Sequence, residues 1–320
     1  MTHAHRPRHG SWGFRPRKRA NEQSVRVRSW SAEGGRKGLL GFPAYKVGMK
    51  TIGYTDDTTS PTKGMEVATP VTILETPSIS VFGIRAYKKD FAGAKSVGDV
   101  IHAPPKVLGK LGMKKEPQAK GMKIEDVEKQ LGELHHVSVL AITNCDTAGS
   151  ARKRGDVVEI AIGGEVKEQL EYAKSVLGKD VSARDVIADG EWIDSLAVTR
   201  AKGWQGAVKR FGVSKQRRKS TGRIRHVGTL GPWHPQYVMY TARQAGQVGY
   251  HRRTQYNNRV LLISNDPKIN PAGGFPHYGV VKTDYAVVKG SIPGTQKRFV
   301  FMRKAMRNSD APKKPQIIWS

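Results

Sequence analysis

VATPVTILETPSISVFGIRAY, residues Val67 to Tyr87, holds two β-branched runs, Val67 to Leu74 and Ile79 to Tyr87, punctuated by Pro77. Runs of this length, rich in Val and Ile and bounded by turn formers, read as strands. Upstream, the character of the chain changes at Gly38, and Leu39, Leu40, Val47 and Met49 lead into these runs. Downstream, Val137 to Ile142 and Val157 to Ile162 repeat the pattern up to a Gly163-Gly164 turn, and Trp192 to Thr199, Val260 to Ile263, Tyr285 to Val288 and Phe299 to Met302 return to it. One helix stands out. Val166, Leu170, Ala173 and Leu177 share a face, Glu and Lys take the other, and Gly178 stands where a left-handed C-cap is wanted. Because strand and helix alternate only once, the short strands and Gly/Pro turns predict a mainly β, antiparallel barrel rather than a doubly wound sheet.

Outside these elements the chain is polar and basic. Residues 1–37 hold ten Lys or Arg against two acids and show no apolar periodicity, which predicts a basic arm without a core of its own. Residues 104–123, with Pro104, Pro105 and Pro117 and six lysines, read as a charged loop. Cys145 is the single cysteine, so an internal disulfide and a multi-cysteine zinc site are both excluded, and its place after an apolar run predicts an inert buried residue. His3, His5 and His9 lie on the arm with no nearby carboxylate, and a solvated tail is the expected reading. His135 and His136 adjoin in a predicted strand, so their side chains are expected on opposite faces, unable to chelate one ion.

The charge is the clearest functional signal. The 320 residues carry 55 Lys or Arg against 27 acids, a net charge of +28. Between Asp194 and Asp266 there are 71 residues with 14 Lys or Arg, three His and no acid at all. A one-signed surface repels itself, so such a stretch implies a polyanion that supplies the countercharge. A membrane surface would require a continuous amphipathic basic helix, and Gly203, Gly206, Gly212, Gly222, Gly228, Gly231 and Pro232 interrupt this one. No apolar run approaches the roughly 18 residues needed to span a bilayer, and nothing reads as a secretory signal, so a soluble intracellular chain is expected.

Nucleic acid is the expected partner. Lys209, Arg210, Lys215, Arg217, Arg218, Lys219, Arg223 and Arg225 are interleaved with small residues that let backbone approach phosphate. Lys202, Trp204, Arg243, His251, Arg252 and Arg253 complete the candidate surface in this stretch. Trp233 and His234 lie within Gly231-Pro232-Trp233-His234-Pro235, where flanking prolines stiffen the backbone. Trp233 either forms a rigid fingertip that stacks on a base or caps a local cluster with Tyr237 and Met239. Enzyme signatures are missing: there is no Walker loop, no G-x-G-x-x-G after a strand and no G-x-S-x-G elbow, and the most basic region has no carboxylate to hold magnesium. No metal or cofactor is expected. The rival class is an RNA-processing enzyme that uses the histidines or a hidden pocket.

Landmarks over nearly the whole length resemble the large-subunit ribosomal protein L three family in its archaeal and eukaryotic form. They include Pro7-Arg8-His9-Gly10-Ser11, Arg17-Lys18-Arg19-Ala20, Lys46-Val47-Gly48-Met49, Lys202-Gly203-Trp204-Gln205-Gly206, the Trp233 motif, Gly249-Tyr250-His251, Gly273-Gly274-Phe275-Pro276-His277-Tyr278-Gly279 and Lys289-Gly290-Ser291-Ile292-Pro293-Gly294. The resemblance implies a translation-protein-type β-barrel with an inserted α/β lobe and long basic extensions that penetrate ribosomal RNA. Its expected layout is a basic arm (1–37), a barrel core (38–110 and 261–306), an inserted lobe with its return strand (111–199), a central extension (200–260) and a tail (307–320). It implies a non-enzymatic constituent of the cytoplasmic ribosome, active in early subunit assembly, whose partners are large-subunit ribosomal RNA and neighbouring ribosomal proteins, with no membrane and no small-molecule substrate. In the family the Trp-His-Pro tip nears the peptidyl transferase centre, a role that would fall on Trp233 with His234 beside it, while Arg8, Arg17, Lys18 and Arg19 would pack near the base of the extension and touch RNA. Eukaryotic members carry a methylatable histidine twelve positions before that tryptophan. Thr221 stands there, and the lysine-rich tail of those members is missing after Ser320, so an archaeal form is expected.

Overall fold

A computed structural model describes residues 10–31, 37–112, 122–149, 152, 154–220, 222–307 and 313–319. His3, His5, Arg8, His9 and Thr221 lie outside these. The described chain is mainly β. Strands β1 (Gly38–Leu39), β2 (Gly41–Thr55), β3 (Glu66–Glu75), β4 (Ile79–Asp90) and β5 (Gly93–Ile101) precede helices α1 (Pro105–Leu111) and α2 (Ile124–Lys129). Strands β6 (Leu134–Thr143) and β7 (Val157–Gly163), helix α3 (Val166–Val176) and strands β8 (Asp180–Val181) and β9 (Trp192–Val198) follow. Then come β10 (Trp204–Gln205), α4 (Ala207–Phe211), β11 (Gly246–Gln247), β12 (Arg252–Ser264), β13 (Tyr285–Lys289), β14 (Phe299–Lys304) and β15 (Ile317–Trp319).

The chain divides into two compact units, residues 23–197 with 254–320 and residues 1–22 with 198–253. The larger unit holds two sheets. One runs β14-β9-β12-β13-β3-β2-β15, and β14 pairs with β2 as well as with β9. The two runs of the quoted stretch part company at Pro77: the first becomes β3, paired antiparallel with β2 from Thr55↔Glu66 to Tyr45↔Glu75, and the second becomes β4 in the other sheet. Apolar side chains of the first sheet, among them Val47, Ile52, Val71, Ile73, Leu261, Tyr285 and Val287, form a core closed by Phe275, Tyr278 and Val281 from the loop after β12. At β9 burial is almost continuous, as befits a strand covered on both faces.

The second sheet runs β1-β7-β6-β4-β5 with β8 beside β4, and α3 packs on it through Leu170 and Ala173. Gly178 takes φ +77°, as its place after α3 predicts. Residues 79–101 were expected with the strands at 38–75. Strand β4 pairs instead with β5, β6 and β8, in a sheet that does not contain β2 or β3. Part of the expected loop at 104–123 is helical. Pro104 and Pro105 occupy the N-cap and first turn of α1, where a missing N–H costs nothing, and Val107 and Leu108 bury against Phe82, Leu140 and Ile142.

The expected opposition of His135 and His136 is also corrected. Tyr87 faces His136 and Lys88 faces Leu134, so His135 is the extra residue of a β-bulge. The bulge breaks the two-residue alternation and brings the two Nδ1 atoms to 2.8 Å. His136 stacks on Tyr87 at 4.4 Å between ring centroids, and burial, followed by the neighbouring His135 charge, lowers its pKa. Cys145 is buried, with its Sγ 2.9 Å from the Tyr45 hydroxyl.

Two buried polar centres fix the larger unit. Glu75, at 0% exposure, accepts backbone N–H groups from Gly149, Lys282 and Thr283 and the Tyr278 hydroxyl. Asp194, also at 0%, pairs with Arg303 at 2.5 Å and accepts the Asn257 N–H at 3.1 Å.

Candidate nucleic-acid interface

The smaller unit has little apolar material, and its frame is backbone hydrogen bonding. Trp204 pairs with Gln247 and Gln205 with Gly246 in the β10–β11 ribbon. Lys202 N donates to Val248 O and Val248 N to Gly203 O, both at 2.9 Å, while Thr199 and His251 exchange bonds on one side of Tyr250. Gly249 sits at φ +73°, and a Cβ there would lie 1.9 Å from the Arg200 carbonyl oxygen, so no other residue fits this crossing. The arm joins as a third segment: Ala20 N donates to Tyr250 O at 2.8 Å, and His251 Nδ1 donates to Lys18 O at 2.9 Å.

Arginine and phenylalanine join residues 14–17 to residues 210–211 and 253 within the smaller unit. The guanidiniums of Arg15, Arg17 and Arg210 lie 4.6, 4.3 and 5.1 Å from the centroid of the buried Phe211 ring, and Arg253 lies 4.7 Å from that of Phe14. Arg17 donates to Arg210 O, and Arg210 returns a bond to Arg17 O at 3.1 Å and reaches Gln247 O at 3.1 Å and Gln244 O at 3.0 Å. Arg15 reaches Tyr240 O at 2.9 Å. Burial, then neighbouring guanidiniums, pulls the pKa of Arg15, Arg210 and Arg253 down. An arginine stays protonated through such a shift, so the cluster retains like charges held together by ring faces and carbonyls.

The candidate residues therefore separate into two kinds. Arg17, Arg210, Arg243 and Arg253 are half-buried, and the first two are committed to carbonyls within the unit; His251 is buried. Lys18, Arg19, Lys202, Trp204, Lys209 and Arg252 are exposed around that base. Lys215, Arg217, Arg218, Lys219, Arg223 and Arg225 are exposed along the irregular chain between α4 and β11. Trp233 is 81% exposed and its ring meets that of His234 edge-on at 6.3 Å. A Trp233 cap over Tyr237 and Met239 would require burial, yet Tyr237 is itself 69% exposed. Among the described residues, no three or more His, Cys, Asp or Glu gather to hold a metal, and no helix is long and apolar enough to cross a membrane.

The sequence pattern of the family described as Ribosomal protein L3 matches residues 1–318. The chain belongs to the ribosomal protein L3 family. It is 43% identical over 327 residues to the large ribosomal subunit protein uL3 of Methanothrix thermoacetophila, a match covering 100% of this chain and 97% of the relative. The uL3 of Methanothermobacter thermautotrophicus is 42% identical over 329 residues (99% and 97% covered), and that of Methanococcus vannielii 45% over 314 residues (95% and 92%). In this L3-family chain, sequence reasoning passed over Arg15, Phe211 and Phe14. The signal was available in part, since an isolated apolar residue in a basic, core-poor stretch has only the alkyl and planar faces of cations to pack on.

His251 makes the arm contact sensitive to pH. Burial, and more weakly the charges of Arg253, Arg17 and Arg210, lower its pKa, while its bond to Lys18 O opposes them. The folded value lies below the unfolded one of about 6.5, so stability is full above that pH and falls as pH drops toward the folded value. Between pH 7.5 and 5.5 the wild-type melting temperature should therefore fall further than that of His251→Gln; equal losses would remove His251 as the cause.

Proposed function

We propose that the chain is a structural, RNA-binding constituent of the large ribosomal subunit, the assembly named in its uL3 relatives. The observation that carries this is the smaller unit: residues 198–253 contain no acid, and most of their cations are exposed along a chain with almost no core. Neutralising phosphates lets RNA helices that would repel one another pack together, while RNA contacts provide the ordering free energy that this segment lacks. Chemistry is left to the RNA, and no residue has a catalytic role. Residence in the cytoplasmic ribosome, neighbouring ribosomal proteins as partners and a part in early assembly follow from the family.

The pairing of β14 with both β9 and β2 supports a closed translation-protein-type barrel of β2, β3, β13, β12, β9 and β14. On this reading residues 79–181 form the inserted lobe, and 1–22 and 198–253 are the RNA-penetrating extensions. Trp233, exposed on its proline-flanked turn with His234, is the fingertip directed toward the peptidyl transferase centre. Lys18, Arg19, Lys202, Trp204, Lys209, Lys215 and Arg252 contact RNA around the base, joined by the exposed cations from Arg217 to Arg225. Arg8 belongs to the same arm. Arg17, Arg210, Arg243, His251 and Arg253 hold that base in shape.

The test is binding of purified protein to large-subunit ribosomal RNA and to an unrelated RNA of equal length across a salt series. The cognate complex should survive moderate salt after the other dissociates. Two identical curves would leave only non-specific charge, and turnover of the RNA would favour a processing enzyme.

A further inference from the structure

A cleft of about 900 Å³ opens within the smaller unit, lined by Lys18, Arg19, Asn21, Gly203, Gln247 and Tyr250, with Ala20 and Ala201 between them. Its size is within the roughly 300–1,000 Å³ typical of small-ligand sites. The walls differ in chemistry from the rest of the basic surface. Lys18 and Arg19 provide two cations. Tyr250 provides an aromatic ring, and its backbone is held at φ +52°, a region that non-glycine residues seldom adopt. Backbone hydrogen bonds hold that conformation: Tyr250 N donates to Thr199 O, Tyr250 O accepts from Ala20 N, and the next carbonyl, His251 O, accepts from Thr199 N. Strain maintained in this way marks a position whose side-chain direction matters.

Gln247 adds a directed acceptor. Its Nε2 donates to the carbonyls of Gly249 at 3.0 Å and Val248 at 3.4 Å, which leaves Oε1 as the atom able to accept from a ligand. Trp204, 77% exposed, stands directly opposite Gln247 in the β10–β11 ribbon, so its indole is on the same ribbon face. At Gly203, φ is +66° and a Cβ would meet nothing within 4 Å, so backbone is open to a close approach there.

We infer that this cleft receives a single unstacked nucleotide of the bound RNA, with its phosphate at Lys18 and Arg19, its base against Tyr250, and a base N–H donated to Gln247 Oε1. A continuous helix would use only the cations and would leave the aromatic wall and the acceptor without a role. Single-stranded or extruded bases are the RNA elements that present both a ring face and a hydrogen-bonding edge. The inference rests on the RNA-binding reading above and makes it specific to one site.

The experiment uses the full chain and large-subunit ribosomal RNA over a salt series, with unrelated RNA as control. Ala201→Leu fills the exposed cleft and leaves every cation in place; Tyr250→Leu removes the ring; Lys18→Ala with Arg19→Ala removes the charges. Base stacking on an aromatic ring corresponds to about 5- to 150-fold in affinity. Ala201→Leu and Tyr250→Leu should each weaken cognate binding by at least about fivefold at every salt concentration with the salt slope unchanged. The double charge variant should instead flatten the slope by about 1.5. Wild-type affinity in Ala201→Leu would overturn the nucleotide site while the RNA-binding reading stands. Failure of the wild type to prefer cognate RNA would overturn both. Thermal melting of each variant separates lost binding from lost folding, and Ala201→Leu, at an exposed position, keeps the test valid if Tyr250→Leu does not fold.

Discussion

Asp194→Ala should destabilise the chain by about 3–5 kcal/mol, measured by denaturant unfolding of the free protein. Asp194 has no exposed surface and Arg303 only 2%, and they meet at 2.5 Å. Removing the carboxylate leaves a guanidinium in the interior of the larger unit with its charge uncompensated. It also orphans the Asn257 N–H, which Asp194 Oδ1 accepts, and the Met306 N–H on Oδ2. These contacts join β9, where Asp194 sits, to β12 and β14, so their loss bears on three strands of one sheet. What remains to Arg303 is Ser29, through its carbonyl at 2.7 Å and its hydroxyl at 3.0 Å, and the face of the Tyr256 ring at 5.9 Å, and none of these is an anion. Replacing both partners, Asp194→Leu with Arg303→Met, should recover much of the loss, because the desolvation cost disappears with the charges. A single variant within about 1 kcal/mol of wild type would mean that water reaches Arg303.

The strands were legible because their signal is local. Val67 to Leu74 and Ile79 to Tyr87 are dense in β-branched residues, and no tertiary contact is needed to see that. Which sheet each run joins is not local: Pro77 stands between them and bounds both, while the partners of the second run, His136 to Thr143, lie 49 to 64 residues on. Helix α1 was missed because Pro104 and Pro105 serve equally well in a loop and in a first helical turn, and burial of Val107 and Leu108 against Leu140 decides between them. His135 and His136 depended on a bulge, a register feature that alternation cannot reveal. At the candidate interface the acid-free run was plain, but the division of labour among its arginines was not. Arg210 and Arg217 look alike in the sequence; only the fold commits Arg210 to the carbonyls of Arg17, Gln244 and Gln247 and leaves Arg217 exposed.

That division yields the largest expected effect on binding. Arg217, Arg218, Lys219 and Arg223 are all exposed in a segment with no acid between Asp194 and Asp266, so replacing the four with Gln removes charge without removing a core contact. Each phosphate contact contributes about 0.7–0.9 to the slope of log affinity against log salt, so the four together should flatten it by about 3. Since the counterion term grows as salt is diluted, a change of that size amounts to roughly a thousandfold weaker binding of large-subunit RNA at 0.1 M than extrapolation from 1 M would give for the wild type. Melting temperature should not change, since exposed substitutions of this kind usually alter stability by less than about 0.5 kcal/mol. Arg210→Gln makes the contrasting case: it removes one charge but four hydrogen bonds to backbone carbonyls, so it should loosen the arm and lower stability while changing the slope by about 1 or less. If the quadruple variant kept the wild-type slope, the extension would not be lying among phosphates, and the countercharge for residues 195–265 would have to come from an acidic protein surface instead.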